Sequence, residues 1–266
     1  MIKSIAMKFK KSAVRLLAFT VLAITFTARA GAGDVPPAAQ EMAKTFGFDS
    51  WDKIEGLRYT WNAELPGAVK PFDGGAGTIT ISHKWEWDPK AGTITFEGKD
   101  MNGQPLKVTY NRSDMSTQND TVKNVVDPSF YNDQYWLLIP LHAIWDTSAK
   151  VTDEGQQKPA LVDSPADLIA VKYTGNDGYT PGDTWDLYGD ADHRLVEMDY
   201  HRGGPKKPSL VVVTWTGYKK AGPLLISTEH KGTADGAPFR MFFTDVSVKV
   251  TGSDNWVNAE PAEVTK

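Results

Sequence analysis

The feature that most constrains this sequence is an apolar stretch near its middle, Pro128–Trp145, set in a chain that otherwise reads as strands and turns. Eleven of the seventeen residues from Ser129 to Trp145 are apolar or aromatic. Tyr131, Tyr135 and Leu138 fall at i, i+4 and i+7, one face of a helix. Asp127 or Ser129 suits its cap, and Pro140 should end or kink it near Ile139. Trp136, Leu137 and Ile139 point elsewhere, so no side lacks large apolar groups, and a helix apolar all round is buried. Asn132, Asp133 and Gln134 interrupt the run, which falls short of the roughly twenty apolar residues of a membrane span. The expectation is a short helix followed by a buried turn or strand, enclosed by the rest of the protein.

The enclosing material alternates with period two. Leu57, Tyr59, Trp61 and Ala63 alternate with Arg58, Thr60, Asn62 and Glu64; Ile79, Ile81, His83, Trp85 and Trp87 alternate with polar residues; Ile94 with Phe96 and Leu106, Val108 with Tyr110 do the same. Such alternation marks antiparallel strands with one wet and one dry face. Asp73-Gly74-Gly75, Asp88–Gly92 and Asn102-Gly103 are turn-like links. Further strands are expected at Leu168–Tyr173, Asp183–Tyr188, Arg194–Tyr200, Leu210–Trp215, Leu224–His230 and Phe239–Val250, with 112–127 and 147–165 as polar connections. A short helix is expected over Pro36–Phe48, with Ala39, Met42, Ala43 and Phe46 on one face, and a further helical turn at Ser50–Ile54 ended by Gly56. About ten or eleven strands in one curved sheet favour an open antiparallel barrel, mainly β, with the central helix as a buried plug.

The first thirty residues read as an export signal. Lys3, Lys8, Lys10, Lys11 and Arg15 precede an apolar core, Leu16–Phe26, and Ala28-Arg29-Ala30 has the form of a cleavage site. The expected division is a signal peptide over 1–30 and a single β-domain over 31–266. The expected location is periplasmic or extracellular, with no integral membrane segment after cleavage. Of the chain's 29 basic residues six lie in this leader, which holds no acid, so the remainder carries 23 basic and 33 acidic residues, a net charge of −10. That balance argues against nucleic acid or an anionic membrane surface as partner. The chain has no cysteine, which excludes disulfides, thiolate metal sites and a thiol-linked lipid anchor.

The order of elements resembles the bacterial outer-membrane lipoprotein-sorting (LolA/LolB-like) superfamily. Carrying the resemblance are Tyr135-Trp136-Leu137-Leu138-Ile139-Pro140, Asp183-Thr184-Trp185-Asp186-Leu187-Tyr188, Leu195-Val196-Glu197-Met198-Asp199-Tyr200 and Phe243-Thr244-Asp245-Val246, within a pattern spanning most of 38–250. The resemblance implies an open barrel plugged by helices and an apolar cavity that takes acyl chains.

Candidate ligand-binding residues follow from the inward phase of the strands and from the plug: Tyr59, Trp61, Ile81, His83, Trp85, Tyr110, Tyr135, Trp136, Leu138 and Trp185. The cavity is expected between these side chains, apolar with few polar groups. His83 is the titratable group on that phase, a candidate contact for a ligand head group and otherwise a core histidine bonded to a backbone carbonyl. Asp190, Asp192, His193, Glu197, Asp199 and His201 form the densest set of possible metal ligands, but they read better as a hairpin whose turn favours Asp and Gly for backbone reasons. Asp186 and Glu197 could face each other across that hairpin as paired acids. No nucleophile elbow, metalloprotease helix, phosphate loop or dinucleotide fingerprint occurs. Neither a metal, a cofactor nor a catalytic residue is therefore expected, and the preferred function is non-enzymatic binding of a lipid or acyl group. The rival readings are a carbohydrate-binding or carbohydrate-cleaving β-sandwich, which requires Trp85, Trp87 and Trp185 on the solvent side, and an envelope scaffold without a small ligand.

Overall fold

A sheet with two free edges, and a helix that crosses from one edge to the other, set the architecture of the computed structural model. The structure describes residues 35–66, 78–100, 102–174 and 180–262. The leader and the expected turn at Asp73-Gly74-Gly75 lie outside the described residues.

Helix α1 (Pro37–Thr45) buries Ala39, Met42 and Ala43, and Phe46 continues that face. Gly47 ends it with φ 96°, a left-handed conformation that glycine adopts without strain. A 3-10 turn over Phe48–Lys53 leads into the meander β1 (Ile54–Pro66), β2 (Thr78–Asp88), β3 (Thr93–Lys99) and β4 (Pro105–Asn111). Helix α2 (Asp127–Trp145) follows. The chain then re-enters as β5 (Ala149–Gln157), β6 (Ala166–Tyr173), β7 (Thr184–Gly189), β8 (Leu195–Arg202) and β9 (Ser209–Thr214). The short strands β10 (Lys219–Ala221) and β11 (Leu224–Ile226) precede β12 (Glu229–Ala234) and β13 (Ala237–Val250), and β14 (Trp256–Asn258) and β15 (Glu260–Pro261) complete the described chain.

The main sheet has twelve strands in the order β4-β3-β2-β1-β13-β12-β9-β8-β7-β6-β5, with β14 paired to β13; β11-β10-β15 form a small second sheet. Every pairing is antiparallel. The sheet does not close on itself. Its edges are β4 and β5, so the segment between them must cross the whole sheet. That topology, as much as hydrophobicity, places α2 against the inner face.

The open antiparallel barrel agrees with the expectation, and several details correct it. The segment 147–165 is not a polar loop throughout, because it contains β5, a mostly exposed edge strand with a bulge between Asp153 and Gln156. Its one-sided polarity hides it, since an edge strand need not alternate cleanly. Leu224–His230 is not one strand: β11 and β12 lie in different sheets, and Ser227 and Thr228 make the transfer. The connection 112–127 holds two helical turns, and its Val122 and Val126 are buried. Gly56 lies inside β1 rather than ending the turn before it.

Pro140 kinks α2 but does not end it. Leu138 leaves helical geometry at φ −125°, ψ 18°, where the proline ring crowds the preceding turn, yet the helix resumes and runs to Trp145. The expected turn or strand after Ile139 is therefore a second helical half. From Asp133 to Ala143 every residue of α2 is buried.

Candidate functional site

The inner face of the sheet is an aromatic wall. Leu57, Tyr59 and Trp61 on β1, Trp85 and Trp87 on β2, Phe96 on β3, Trp185 and Leu187 on β7 and Phe243 on β13 are all buried and point toward α2. Phe130 packs edge-on against Trp85 and Trp87, with ring centroids 5.4 Å from each. Trp136 sits among Trp185, Tyr200, Trp215 and Phe239, at centroid distances of 5.4, 6.2, 6.5 and 6.3 Å. The carbohydrate reading required Trp85, Trp87 and Trp185 on the solvent side, and their burial removes that support.

Of the ten candidate residues, the structure brings Tyr59, Trp61, Trp85, Tyr110, Tyr135, Trp136, Leu138 and Trp185 into this buried interior. Ile81 departs from the expectation. It shares their phase but lies at the open end of β2, 37% exposed, whereas Trp85 is 1% exposed. His83, between them, has a side chain 18% exposed. Leu106, Val108, Ala234 and Phe239 are partly buried against the core. On the inward phase of β2, exposure thus rises from Trp85 through His83 to Ile81.

The expectation of few polar groups is also corrected, because α2 and the residue after it carry three carboxylates, each bonded to a different part of the wall. Asp127 accepts from the Tyr110 hydroxyl at 2.9 Å and lies 3.3 Å from Arg112 Nε. Asp133 Oδ2 lies 2.7 Å from His83 Nδ1 and accepts from Trp85 Nε1 at 2.8 Å; its Oδ1 accepts from Asn132 at 3.0 Å. His83 therefore faces a buried carboxylate, not a backbone carbonyl, and its ring stacks on Trp61 at 5.2 Å. Burial pushes the Asp133 carboxyl above its ordinary range, although His83, Asn132 and Trp85 pull the other way.

The third is Asp146, just past the helix end. Its Oδ2 accepts from the hydroxyls of Tyr135 and Tyr173, each at 2.6 Å, and lies 3.0 Å from His142 Nδ1. Burial raises this carboxyl, but His142, Tyr135 and Tyr173 together outweigh it and hold the group below its usual value. His142 Nε2 lies 2.8 Å from Gln134 Oε1, and its ring stacks on Tyr135 at 3.8 Å. These partners escaped sequence reasoning, though a signal existed. Acids inside an all-apolar helix need donors, and the wall strands are rich in Trp, Tyr and His.

Other donors of the wall have no partner. Tyr59 Oη, Trp61 Nε1, Trp185 Nε1 and Trp215 Nε1 are buried and bond to nothing. A buried donor left unmade costs about 1–3 kcal/mol. Near Trp215, at a centroid distance of 3.9 Å, lies His230, whose complete burial drives its imidazole down to about 3 and keeps it neutral.

The opposite face of β7 and β8 bears the acidic hairpin. Asp186 pairs across the strands with Asp199, not with Glu197, which lies opposite Tyr188. Glu197 is fully buried and accepts from the backbone N–H groups of Ala160 and Leu161, each at 2.6 Å, so the segment after β5 folds over this face. Asp186 Oδ2 lies 3.0 Å from His201 Nε2. Asp190 bonds the backbone N–H groups of Asp192 and Arg194, as a turn residue does. Among the described residues no group of three or more His, Asp or Glu is arranged to hold a metal ion.

Burial, then the charge of Glu197, push Asp199 up to about 6. A carboxyl raised in the folded state favours folding fully below its unfolded value and loses that contribution as pH rises through 6. Asp199→Asn should therefore raise stability at pH 7, by about 1 kcal/mol after allowance for solvent screening, and leave it unchanged below pH 4. Urea midpoints at the two pH values check this, and a loss at pH 7 would contradict it.

Two clefts, of about 380 and 470 Å³, open on the sheet, and Tyr59, Trp85 and Phe243 border the first and Trp87 the second. Arg58, Lys84, Lys219 and Asp245 line the first, and Glu86, Lys90, Lys249 and Trp256 the second. No helix among the described residues is long and apolar enough to cross a membrane.

No protein-family model matches the sequence, and no curated protein does. Three solved structures are similar to the chain in fold. A DUF1329 family protein from Desulfovibrio piger aligns with a TM-score of 0.45 at 9% identity, over 83% of this chain and 95% of the other. A LolA superfamily protein from Nitrosomonas europaea aligns at 0.43 and 5% identity, over 79% and 93%. A putative outer membrane lipoprotein-sorting protein domain from Vibrio parahaemolyticus aligns at 0.43 and 11% identity, over 82% and 92%.

Proposed function

We propose that this chain is an exported, non-enzymatic binding protein that takes an apolar, acyl-type ligand between the inner wall of its sheet and α2. The observation that carries this reading is the rim. The inward phase of β2 runs from buried Trp85 to half-buried His83 to exposed Ile81, so an apolar wall built for burial emerges at one end. Helix α2 packs against this wall, and it has the parts of a movable element. Helix α2 is divided at Leu138, and polar bonds at Asp127, Asp133 and Asp146 tie it to the wall at separate points. A chain entering at the rim would replace plug side chains against the wall. Export rests on the leader, with its positive region, apolar core and small-residue cleavage site.

The test is binding of a fluorescent acyl-chain probe to protein purified without detergent, with native mass spectrometry for co-purified lipid. Ile81→Asp places a charge on the rim at an exposed position, so the fold should survive. It should weaken the probe about tenfold, the effect of setting a charge where an apolar chain passes, while the melting temperature stays within a degree or so. Probe binding unchanged by Ile81→Asp would place the entrance elsewhere. Absence of any binding by the parent protein would end the reading.

A further inference from the structure

The unpartnered donors of the wall specify the kind of apolar molecule it takes. This inference rests on the acyl-binding reading above. Trp185 and Trp215 both pack against the same plug side chain, Trp136, at ring distances of 5.4 and 6.5 Å, and both are at least nine-tenths buried. Neither indole N–H has an acceptor. An indole nitrogen can only donate, so rearrangement of the group itself cannot satisfy it. Tyr59 Oη is a third such group on the same wall, linked to Trp215 through the rings of Phe243 and His230. A plain hydrocarbon would leave all of them unpaired, whereas a carbonyl oxygen would satisfy them.

The charge of the interior decides which carbonyl. Among the described residues no Lys or Arg is buried, while Asp127 and Asp133 are. A carboxylate brought into this wall would find indole donors but no cation, beside carboxylates already present. A neutral carbonyl meets the same donors without that charge. We propose that the ligand is a neutral acyl ester or amide, whose carbonyl oxygen accepts from the indole N–H groups of Trp185 and Trp215 in the seat that Trp136 fills in the closed protein. The oxygen then takes hydrogen bonds that the wall leaves open, and the acyl chain runs from there along the aromatic wall to the rim at Ile81.

Three ligands of matched length separate the possibilities: methyl laurate, laurate and tridecane, each competing with a fluorescent acyl-chain probe for the native protein at neutral pH. Methyl laurate should bind about tenfold more tightly than tridecane, the size expected of one to two hydrogen bonds, and more tightly than laurate. Trp185→Phe and Trp215→Phe keep the rings and remove the donors. Each should cut the advantage of the ester over the alkane while leaving tridecane binding as it was. In the parent, the indole proton resonances of these two residues should move downfield with methyl laurate and not with tridecane. Equal affinity for ester and alkane, or laurate as the tightest of the three, overturns the ester assignment and leaves acyl binding standing. If none of the three competes, both fall. If a variant loses tridecane binding as well, the rings and not their N–H groups set the affinity, and the assignment is again overturned.

Discussion

Trp136→Ala is expected to cost about 3–5 kcal/mol, the range for truncating a large buried aromatic. Trp136 is 5% exposed and lies among four aromatic rings drawn from β7, β8, the end of β9 and β13. Removing its indole takes away a side chain that packs on all four rings. In a chain of this size each kcal/mol moves the midpoint by roughly 2–4 °C, so the fall should be about 10 °C or more. A thermal melt followed by near-ultraviolet circular dichroism measures it. A melt equal to the parent's would mean that Trp136 does not hold the helix to the sheet.

Asp133→Ala should cost about as much, 3–5 kcal/mol, for a different reason. Its carboxylate receives Trp85 Nε1 at 2.8 Å and lies 2.7 Å from His83, and the residue is wholly buried. Deleting it strands a buried indole N–H and a half-buried imidazole. Asp133→Asn keeps the volume and one acceptor oxygen and should cost less. The pH dependence has a definite sign. Burial raises the carboxyl in the folded state, so the aspartate's contribution is full below its unfolded value and declines as pH rises through its folded one. Asparagine does not titrate, so the deficit of Asp133→Asn should narrow from pH 4 upward. Urea midpoints of the parent and both variants across that span provide the check. A deficit that widens with pH would show that His83 stabilises the carboxylate more than burial penalises it.

What could be read in the sequence was what is local and repetitive. Alternation at Leu57–Ala63 and Ile81–Trp87 marked wall strands and their inward phase, because a strand with one buried face must alternate. The apolar run around Trp136 marked a buried helix, because no orientation of it leaves a polar side for water. The leading helix, with its stripe of Ala39, Met42, Ala43 and Phe46 and its stop at Gly47, was legible in the same way. The edge strand β5 was not, since only Ala149 and Val151 pack against the core and the rest of the strand is mostly exposed and is bulged.

Tertiary structure decided the rest. Whether Pro140 ends or only kinks α2 depends on what surrounds the second half, and burial of Leu141, His142 and Ala143 supplies enough packing to continue the helix through the break at Leu138. The strand partners Tyr110 of Asp127, His83 of Asp133 and Tyr173 of Asp146 come from β4, β2 and β6, 17, 50 and 27 residues away along the chain. Nothing in the local sequence pairs Asp133 with His83, because a carboxylate chooses its donor by distance in space, and that distance exists only once α2 has crossed the sheet from one edge to the other. The same crossing separates Ile81 from Trp85. Both are apolar and share one strand phase, yet only the folded chain leaves Ile81 exposed and Trp85 buried.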